Sequence, residues 1–540
     1  MKRIKPYPSI KLGLTIIILS LFNIIILFHN GQMTINYYND LPFHLSRAMS
    51  LENITTSPTN FYFFNSFGIP MGLFYPWLTL YPFYFINHFL NQPVLSFYLF
   101  FYLVTIGTCL IAYYSAKKIT HSPKVSFLFM LFYTFSFYRI SDIYNRHAIG
   151  EAIAITFFPL AFYGLYSSLY KKNKNWIALT LGMSLILYTH FLSSLLMGIF
   201  LFIFLIINIT KISKQSFFSL IKAIVATVLL TLPILFGLLS MKCHNAIALP
   251  TIYPLSQTAL TLKEFFQATF TNTLVRNQMG FGCIDFILAI FCLLTLKKQN
   301  RLEKQLTLLG LFFLLITTTI FPWQWFQNTP LVMVQFPWRF LSISSLCFTF
   351  VASSQLASII KKKGMMLTTF IVITVHIITI AWQPKTEVLT NKTLNEVVSS
   401  PTYHHVGRYD YAPYKIKKMD NQSFFNKKEI KIDKQKEKVN PIISNDGTSI
   451  SYILFSEQTQ VIELPVFYYS IQQTFVNGQQ INTKEGPHGG IDIPLNRGKN
   501  DITITPSYPP FYKITIIIVL IVAFLLFFWQ IKKMISKKLG

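Results

Sequence analysis

Apolar runs long enough to cross a membrane alternate with short clusters of Lys and Arg along most of the chain. A transmembrane helix needs about 20 predominantly apolar residues. We count twelve candidate spans, near 12–29, 94–115, 124–140, 150–169, 176–190, 192–209, 218–240, 282–296, 306–321, 338–358, 365–382 and 512–530. The stretch 176–209 is also compatible with one long helix bent at Thr189–His190, but it exceeds a single crossing, so we predict two spans.

The basic clusters agree with this number of spans. They stand before the first span, after the second, fourth, sixth, eighth and tenth, and after the twelfth, so they all fall on one side of the membrane. Lys and Arg accumulate on the cytoplasmic side of membrane proteins. Both termini are therefore predicted to be cytoplasmic, because removing one span would place the later clusters outside.

The spans separate a helical part of the chain from a late β-rich part. We predict a transmembrane domain over 1–382 with a long first outer loop at 30–93, an extracytoplasmic β-rich domain over 383–511, and a final span with a cytoplasmic tail over 512–540. The outer loop 241–281 is expected to carry a short interfacial helix near Leu262–Phe270. The predicted fold class is an all-α polytopic membrane protein with a C-terminal β-sandwich-like domain.

The β prediction depends on local alternation and turn signals. Apolar and polar residues alternate at Ile450–Phe455 and Val461–Leu464, as they do in half-buried strands. Asn477-Gly478 lies inside 472–481 between two strand-like runs, which is a strong hairpin signal. Residues 490–505 read as a strand, a turn and a second strand.

Composition excludes several classes of protein. Hydrophobic residues make up 52% of the chain and charged residues only 12%, against about 25% in soluble domains, so the chain is not a cytosolic enzyme, a disordered chain or a coiled coil. The net charge of +27 is distributed between apolar runs rather than gathered for nucleic acid. The five cysteines form no CxxC pair, which indicates neither a zinc site nor a disulfide framework. No small-residue cleavage site follows the first apolar run, so we expect an uncleaved span.

Acidic residues and histidines concentrate at the predicted outer surface. Residues 1–382 contain seven acids, and all except Glu303 fall on that side. Carboxylates and imidazoles are the groups that general acid–base catalysis uses, so their placement points to a reaction centre there. Acidic residues influence topology little, however, so the bias also has an explanation without function.

The densest group of such residues follows the first span. On a helix, Asp40, His44 and Arg47 share one face, which would offer a carboxylate, an imidazole and a guanidinium together. Helix capping by Asp40, with Pro42 in the first turn, explains part of the pattern. It does not explain His44 and Arg47. We treat the three residues as candidates for a functional site, Asp40 for acid–base chemistry and His44 and Arg47 for substrate binding.

A second group, Arg146, His147 and Glu151, enters the fourth span. Glu151 is at the membrane edge, where an ionisable group is costly and often functional. A first-turn acid stabilised by the helix dipole is the alternative interpretation of Glu151. An interface anchor is the alternative for Arg146. We treat Glu151 as a second catalytic candidate, and Arg146 and His147 as substrate-binding candidates.

Two further candidates open spans from the outer side. His190 lies in the turn after Thr189, where a structural role is the alternative. Gln335 and Arg339 flank the sequence Phe-Pro-Trp before the tenth span. A guanidinium outside runs against the usual charge bias and binds phosphate through paired donors. No Walker, GxGxxG, GxSxG or HExxH motif is present, so ATP, nicotinamide and serine-hydrolase chemistry have no support.

Several of these motifs resemble a known family. The segments YYNDLPFHLSRAMSLEN, GIPMGLFYPW, NRHAIGEAIAITFFPLAF, LYTHFLSS and QFPWRFL look like the bacterial membrane proteins labelled 6-pyruvoyl-tetrahydropterin synthase-related, and are similar to YfhO-type proteins. The resemblance covers roughly residues 10–380. The zinc-binding histidine trio of the pterin enzyme has no counterpart in this sequence.

The resemblance implies a GT-C-type glycosyltransferase in the bacterial plasma membrane. Such an enzyme takes a sugar from a polyprenyl-phosphate donor at the outer leaflet, and an acid of the first outer loop, here Asp40, is the implied base. The expected acceptor is a cell-surface glycopolymer or glycolipid. The sequence lacks the DxD form of metal-dependent members, so we expect no cofactor, and a divalent cation has no support.

Two other functions remain open from the sequence. Twelve spans also suit a transporter or flippase of lipid-linked glycans, although a transporter should place charges near the bilayer midplane in broken helices. A non-catalytic scaffold that binds wall polymer through the β-rich domain is the second alternative.

Overall fold

The computed structural model describes residues 10–25, 28–29, 32–36, 40–171, 175–248, 252–274, 278–381, 391–393 and 409–539. Within these residues the chain is mostly helical. Its contacts group into two compact units, the first made of 1–41, 85–227 and 252–397, and the second of 42–84, 228–251 and 398–540.

The described helices run from the first apolar segment to the C-terminal tail. They are α1 (Ile10–Ile25), α2 (Leu41–Met49), α3 (Met71–Phe74), α4 (Tyr81–Leu90), α5 (Pro93–Thr120), α6 (Pro123–Thr134), α7 (Phe137–Tyr144), α8 (Ile149–Tyr170), α9 (Trp176–Leu187), α10 (Phe191–Ile207), α11 (Lys214–Leu230), α12 (Leu232–His244), α13 (Leu255–Thr258), α14 (Leu262–Thr271), α15 (Cys283–Leu294), α16 (Arg301–Leu315), α17 (Leu341–Ile359), α18 (Lys362–Ala381), α19 (Met419–Lys427) and α20 (Tyr512–Leu539). A short helix is observed where it was predicted near Leu262–Phe270. It is α14, which begins with a reciprocal capping box between Thr261 and Glu264.

The described strands lie mainly in the C-terminal part. They are β1 (Phe28–His29), β2 (Gln32–Asn36), β3 (Asn391–Thr393), β4 (Glu429–Ile432), β5 (Gln435–Lys438), β6 (Ile442–Ile443), β7 (Ile450–Ser456), β8 (Gln460–Leu464), β9 (Gln472–Val476), β10 (Gln479–Ile481), β11 (Lys484–Glu485), β12 (Ile491–Leu495) and β13 (Gly498–Pro506). The strand β3 falls inside the predicted β-rich domain 383–511, but it pairs with β2 in the first unit.

Five described helical segments are long and apolar enough to cross a membrane, or six if α11 and α12 count together as one broken span. The five are Leu95–Thr120, Ile149–Tyr170, Pro337–Ile359, Lys362–Ala381 and Tyr512–Lys532. They coincide with predicted spans, and the pair α11 and α12 coincides with the predicted span 218–240. These helices are typical of a membrane protein.

The remaining six predicted spans are not long apolar helices in the described residues. Four correspond to shorter apolar helices, at Ile10–Phe22, Trp176–Leu187, Phe191–Ile207 and Cys283–Leu294. The predicted span 306–321 corresponds to α16, which ends at Leu315. The predicted span 124–140 is not one continuous helix, because Ser136 is extended (φ −61°, ψ 142°) and separates α6 from α7. Apolar Phe135 and Phe137 flank this break, so hydropathy gives no sign of it.

Helices α8 and α9 of the first unit pack with their backbones almost in contact. A Cβ added at Gly164 would lie 2.1 Å from the backbone nitrogen of Leu179. A Cβ at Gly182 would lie 2.6 Å from the backbone nitrogen of Ala161. Glycine at both positions therefore permits a helix–helix distance that any side chain would prevent, as small residues do at membrane helix interfaces.

The β-rich part of the second unit contains a five-stranded sheet of order β10-β9-β13-β7-β6 and a three-stranded sheet of order β11-β12-β8. Their inward side chains, among them Ile450, Ile502, Leu464 and Ile493, belong to one hydrophobic cluster, which gives the arrangement of a sandwich. The predicted Asn477-Gly478 hairpin is present, because β9 pairs with β10 across it. The turn after β12 instead joins strands of different sheets.

The packing of the sandwich includes a residue from outside the predicted β-rich domain 383–511. The first outer loop contributes Phe61 to the sandwich core, and the Phe61 N–H donates to the carbonyl oxygen of Gly447 at 2.9 Å. In the same unit, α20 packs against α12. The β-rich part therefore shares its unit with the loop 42–84 and with two helices.

We predict that Gly182→Ala destabilises the protein by roughly 1–3 kcal/mol, because overpacking against the backbone of α8 forces the two helices apart. Gly198→Ala is the matched control, since a Cβ at Gly198 of α10 meets nothing within 4 Å. Thermal unfolding of the purified protein in detergent measures both. Equal midpoints for the two variants would contradict the close packing of α8 and α9.

Candidate functional site

Four charged side chains from two distant segments of the sequence form a buried cluster in the first unit. Arg146 Nη1 lies 3.0 Å from Glu151 Oε2 and also bonds to Asp142 Oδ1. Arg339 Nε approaches the same Glu151 oxygen at 3.6 Å. The side chains of Asp142 and Glu151 are 0% and 2% exposed, so the pairing takes place away from water. Two acids and two guanidiniums, which we call the acid–arginine cluster, give no net formal charge.

The turn between α7 and α8 positions three members of this cluster. The Arg146 N–H donates to the carbonyl oxygen of Ser141 at 2.9 Å, and the Ala148 N–H donates to that of Asp142 at 2.9 Å. Asp142 and Arg146 are four residues apart, and Glu151 is in the first turn of α8. The tight turn therefore folds the end of one helix and the start of the next around the Arg146 guanidinium.

Arg339 comes from a separate segment of short 3-10 turns before α17. Its Nη1 donates to the carbonyl oxygen of Val334 at 2.8 Å and to Gln335 Oε1 at 3.1 Å. Gln335 has a positive φ of 62°, and its carbonyl oxygen accepts a hydrogen bond from Thr258 Oγ1 at 2.8 Å. Gln335, predicted as a substrate-binding residue, thus holds the guanidinium of Arg339.

Aromatic side chains complete the surroundings of the cluster. Tyr138 donates its hydroxyl to Glu151 Oε1 at 2.5 Å. The Trp338 ring lies 4.3 Å from Arg146 Cζ and 5.8 Å from Arg339 Cζ. Cation–π contact with one indole therefore orients both guanidinium planes.

Asp40, the predicted base, lies beside this turn. Its backbone N–H donates to the carbonyl oxygen of Arg146 at 3.4 Å, a long bond that still ties the two segments together. Asp40 is exposed, in contrast to the buried Asp142 and Glu151. The backbone of Asp40 thus lies beside the turn that carries Arg146, and its side chain is accessible to solvent.

His147 and His190 lie near the cluster with different roles. His190 accepts a hydrogen bond from the Ser193 N–H at 3.3 Å and caps α10, and its ring also interacts electrostatically with Glu151. The ring of His147 is buried, and neither nitrogen has a hydrogen-bond partner among the described residues. Burial lowers the pKa of His147 to about 4, although the nearby Ile143 backbone acts in the opposite direction.

His44 and Arg47, the remaining predicted residues, belong to the second unit. Arg47 Nη1 lies 3.0 Å from His44 Nδ1, so the predicted helical spacing does bring these two side chains together. Asp40 precedes α2 and belongs to the first unit.

Sequence reasoning missed Asp142, Tyr138 and Trp338 as members of one site. The four-residue spacing of Asp142 and Arg146 was an available signal. Tyr138 gave none, because it falls inside the span predicted over 124–140. Burial and the neighbouring Glu151 raise the pKa of Asp142, while Arg146 opposes the rise.

No group of three or more His, Cys, Asp and Glu suited to a metal ion is found in the part of the chain that the structure describes. No protein-family model, no curated protein and no solved structure matches the chain. The fold and the cluster together define a helical membrane protein with a buried acid–arginine site at the ends of its helices.

We predict that the buried His147 makes stability fall as the pH drops from about 6.5 to 4. In that window the unfolded chain binds a proton that the folded chain does not, so the free energy of unfolding decreases by roughly 3 kcal/mol. His147→Asn should remove this part of the pH dependence, since Asn does not titrate and tolerates the φ of +52°.

Thermal unfolding between pH 4 and pH 7 tests this, with His121→Asn as the control. His121 has a similar φ of +60° but an exposed ring, so its replacement should change the slope far less. Identical slopes for wild type and His147→Asn would show that the imidazole of His147 is not held neutral.

Proposed function

We propose that the protein is an inverting membrane glycosyltransferase that moves a sugar from a polyprenyl-phosphate donor to a cell-surface glycopolymer or glycolipid. The observation that carries the proposal is the convergence of Arg146 and Arg339 on Glu151, beside the accessible Asp40. The guanidiniums of Arg146 and Arg339 can bind a phosphate, and the carboxylate of Asp40 can accept a proton.

The two arginines suit the phosphate of a lipid-linked donor. A guanidinium presents paired N–H donors to a phosphate, and such bonds are strong where water is excluded. Glu151 is in the first turn of the apolar span Ile149–Tyr170, and Arg339 is near the start of Pro337–Ile359. These helix ends are where the headgroup of a membrane lipid would meet the protein.

The proposed reaction is a single displacement. Asp40 takes the proton of an acceptor hydroxyl as that oxygen bonds to the anomeric carbon of the sugar. The bond between the anomeric carbon and the phosphate oxygen breaks at the same time, and the polyprenyl phosphate leaves with the bonding electrons. Arg146 and Arg339 stabilise the negative charge that develops on the leaving phosphate.

Asp40 is a better candidate for the base than Glu151 on geometric grounds. Glu151 is already engaged by Arg146, Arg339 and the Tyr138 hydroxyl. Asp40 is exposed and therefore open to an acceptor. A phosphate that enters the site would compete with Glu151 for the two guanidiniums. Before it binds, Glu151 keeps Arg146 and Arg339 in position.

The proposal includes the finer architecture expected from the sequence. Twelve spans cross the bacterial plasma membrane, and the first eleven form the GT-C-like domain over 1–382. Both termini are cytoplasmic, and the β-rich domain over 383–511 is outside. No cofactor takes part, and a divalent cation has no assigned role.

A transporter or flippase of lipid-linked glycans is the main alternative. That function favours charges near the bilayer midplane, whereas Glu151 and Arg339 are close to the ends of their apolar helices. A scaffold that only binds wall polymer would need no base at Asp40. Release of sugar from a polyprenyl-phosphate donor therefore separates the proposed enzyme from both.

We predict that Asp40→Asn lowers the rate of sugar transfer by roughly 10²–10⁴-fold, because the amide cannot accept the proton. Thermal stability should be unchanged, since Asn caps a helix about as well as Asp. The measurement is sugar release or transfer by purified protein, with a panel of polyprenyl-phosphate sugars.

Glu52→Gln is the matched control, because Glu52 is another exposed acid of the first outer loop. Its activity should equal that of the wild type. Full activity in Asp40→Asn would exclude Asp40 as the base, and Glu151→Gln would then be tested.

We also predict that residue 459 faces the outside and residue 298 the cytoplasm. Both Thr459 and Lys298 are exposed, whereas Asn421 of the β-rich part is buried and unsuitable for labelling. In a variant without the five native cysteines, Thr459→Cys should react with an impermeant maleimide in intact cells. Lys298→Cys should react only after permeabilisation, and the reverse pattern would contradict the twelve-span topology.

A further inference from the structure

Arg47 is a buried cation of the second unit that forms no ion pair with any acid among the described residues. The residue is 5% exposed, its Nη1 lies 3.0 Å from His44 Nδ1, and its Nη2 donates to the carbonyl oxygen of Pro76 at 2.6 Å. Across the described ranges, no carboxylate lies within ion-pair distance of this guanidinium. Arg146 and Arg339 differ in this respect, because each is paired with Glu151.

The groups around Arg47 orient it without neutralising it. A guanidinium has five N–H donors, and His44 and Pro76 accept from two of them. The Tyr75 ring lies 4.7 Å from Arg47 Cζ, and the Phe43 ring lies 5.8 Å from it. Burial lowers the pKa of Arg47 to about 10, although Tyr75 and Tyr411 oppose the shift. The positive charge is therefore desolvated, and no carboxylate of the described part of the chain contacts it directly.

The contact with His44 also fixes the state of the imidazole. Because a guanidinium only donates hydrogen bonds, the Nδ1 of neutral His44 must be the acceptor, and its proton is on Nε2. His44 therefore holds Arg47 in place and contributes no negative charge. Fixed at two nitrogens, the guanidinium is prepared for a third partner at low cost in side-chain entropy.

We propose that Arg47 anchors a second oxyanion site, which binds the phosphate or carboxylate group of a glycan. An oxyanion supplies the missing negative charge, and the planar guanidinium suits both groups through paired donors. The half-buried Tyr75 beside it offers aromatic surface to the attached sugar. The site shares its unit with the β-rich part of the chain. The inference rests on the proposed function in one respect, since it makes the acceptor an oxyanion-bearing glycan.

The first experiment measures the thermal midpoint of the full-length protein in detergent at rising concentrations of four probes. Glycerol phosphate and glucuronate carry the two oxyanions, and glycerol and glucose are their uncharged counterparts. A ligand that binds only the folded state raises the midpoint with concentration. A rise with either oxyanion and none with the uncharged probes supports the site and identifies its group, whereas no rise with either oxyanion overturns it.

The second experiment locates the binding. Arg47→Met retains the apolar stem and removes the charge, so the apparent affinity for the oxyanion should fall on the order of tenfold or more. Arg47→Lys keeps the charge without the paired donors and should give a smaller loss of affinity, read as the ligand-induced shift from its own ligand-free midpoint. Lys499→Met is the matched control, because it removes an exposed cation, 51% accessible, of the same unit.

Arg339→Met separates this inference from the proposed function. If affinity is lost in Arg339→Met and retained in both Arg47 variants, the oxyanion binds at the acid–arginine cluster and the Arg47 site is overturned. The assay of sugar transfer with Asp40→Asn is read independently of these midpoints. A negative result for oxyanion binding at Arg47 therefore does not contradict the proposed glycosyltransferase activity. A negative result for sugar transfer likewise does not contradict oxyanion binding at Arg47.

Discussion

The pairing of one buried carboxylate with two guanidiniums is the interaction on which the rest of the first unit depends. Glu151 is 2% exposed, and it can remain ionised there only because Arg146 and Arg339 are within reach. Removal of one partner from a buried pair typically costs about 3–5 kcal/mol, since the remaining charge is left without compensation. Through the ion pairs of Glu151, the turn between α7 and α8 is connected to the segment before α17, although the two segments are far apart in sequence.

The sequence could identify individual residues of this site, but not the contacts between them. Arg146, Glu151 and Arg339 were recognisable because charged groups at the edge of a span are expensive and therefore conspicuous. Their mutual contacts were not recognisable, because they arise from tertiary packing between distant segments. Tyr138 was hidden in an apolar run, and Asp142 was visible only as an acid with an arginine one turn away. The expectation for Asp40 remains a prediction, although its backbone contact with Arg146 places it next to the cluster.

The same distinction applies to the fold: features set by local sequence were predicted, and features set by long-range contacts were not. Long uninterrupted apolar runs predicted α5, α8, α17, α18 and α20, because hydropathy is a property of each segment alone. The hairpin at Asn477-Gly478 was equally local, since both residues adopt the positive φ that the turn needs. The break at Ser136 was missed, because an extended backbone between two phenylalanines leaves hydropathy unchanged. The sharing of one unit by the first outer loop and the sandwich follows from long-range contacts that no local pattern encodes.

The contact between α8 and α9 has a mechanical consequence for the cluster. With backbone atoms touching at Gly164 and Gly182, these two helices cannot rotate or slide against each other without a steric clash. Glu151 stands in the first turn of α8 and so belongs to a rigid frame. The close approach of the two backbones therefore fixes the position of the Glu151 carboxylate with respect to α9, so the reference point of the cluster is set by helix packing and not by the charges alone.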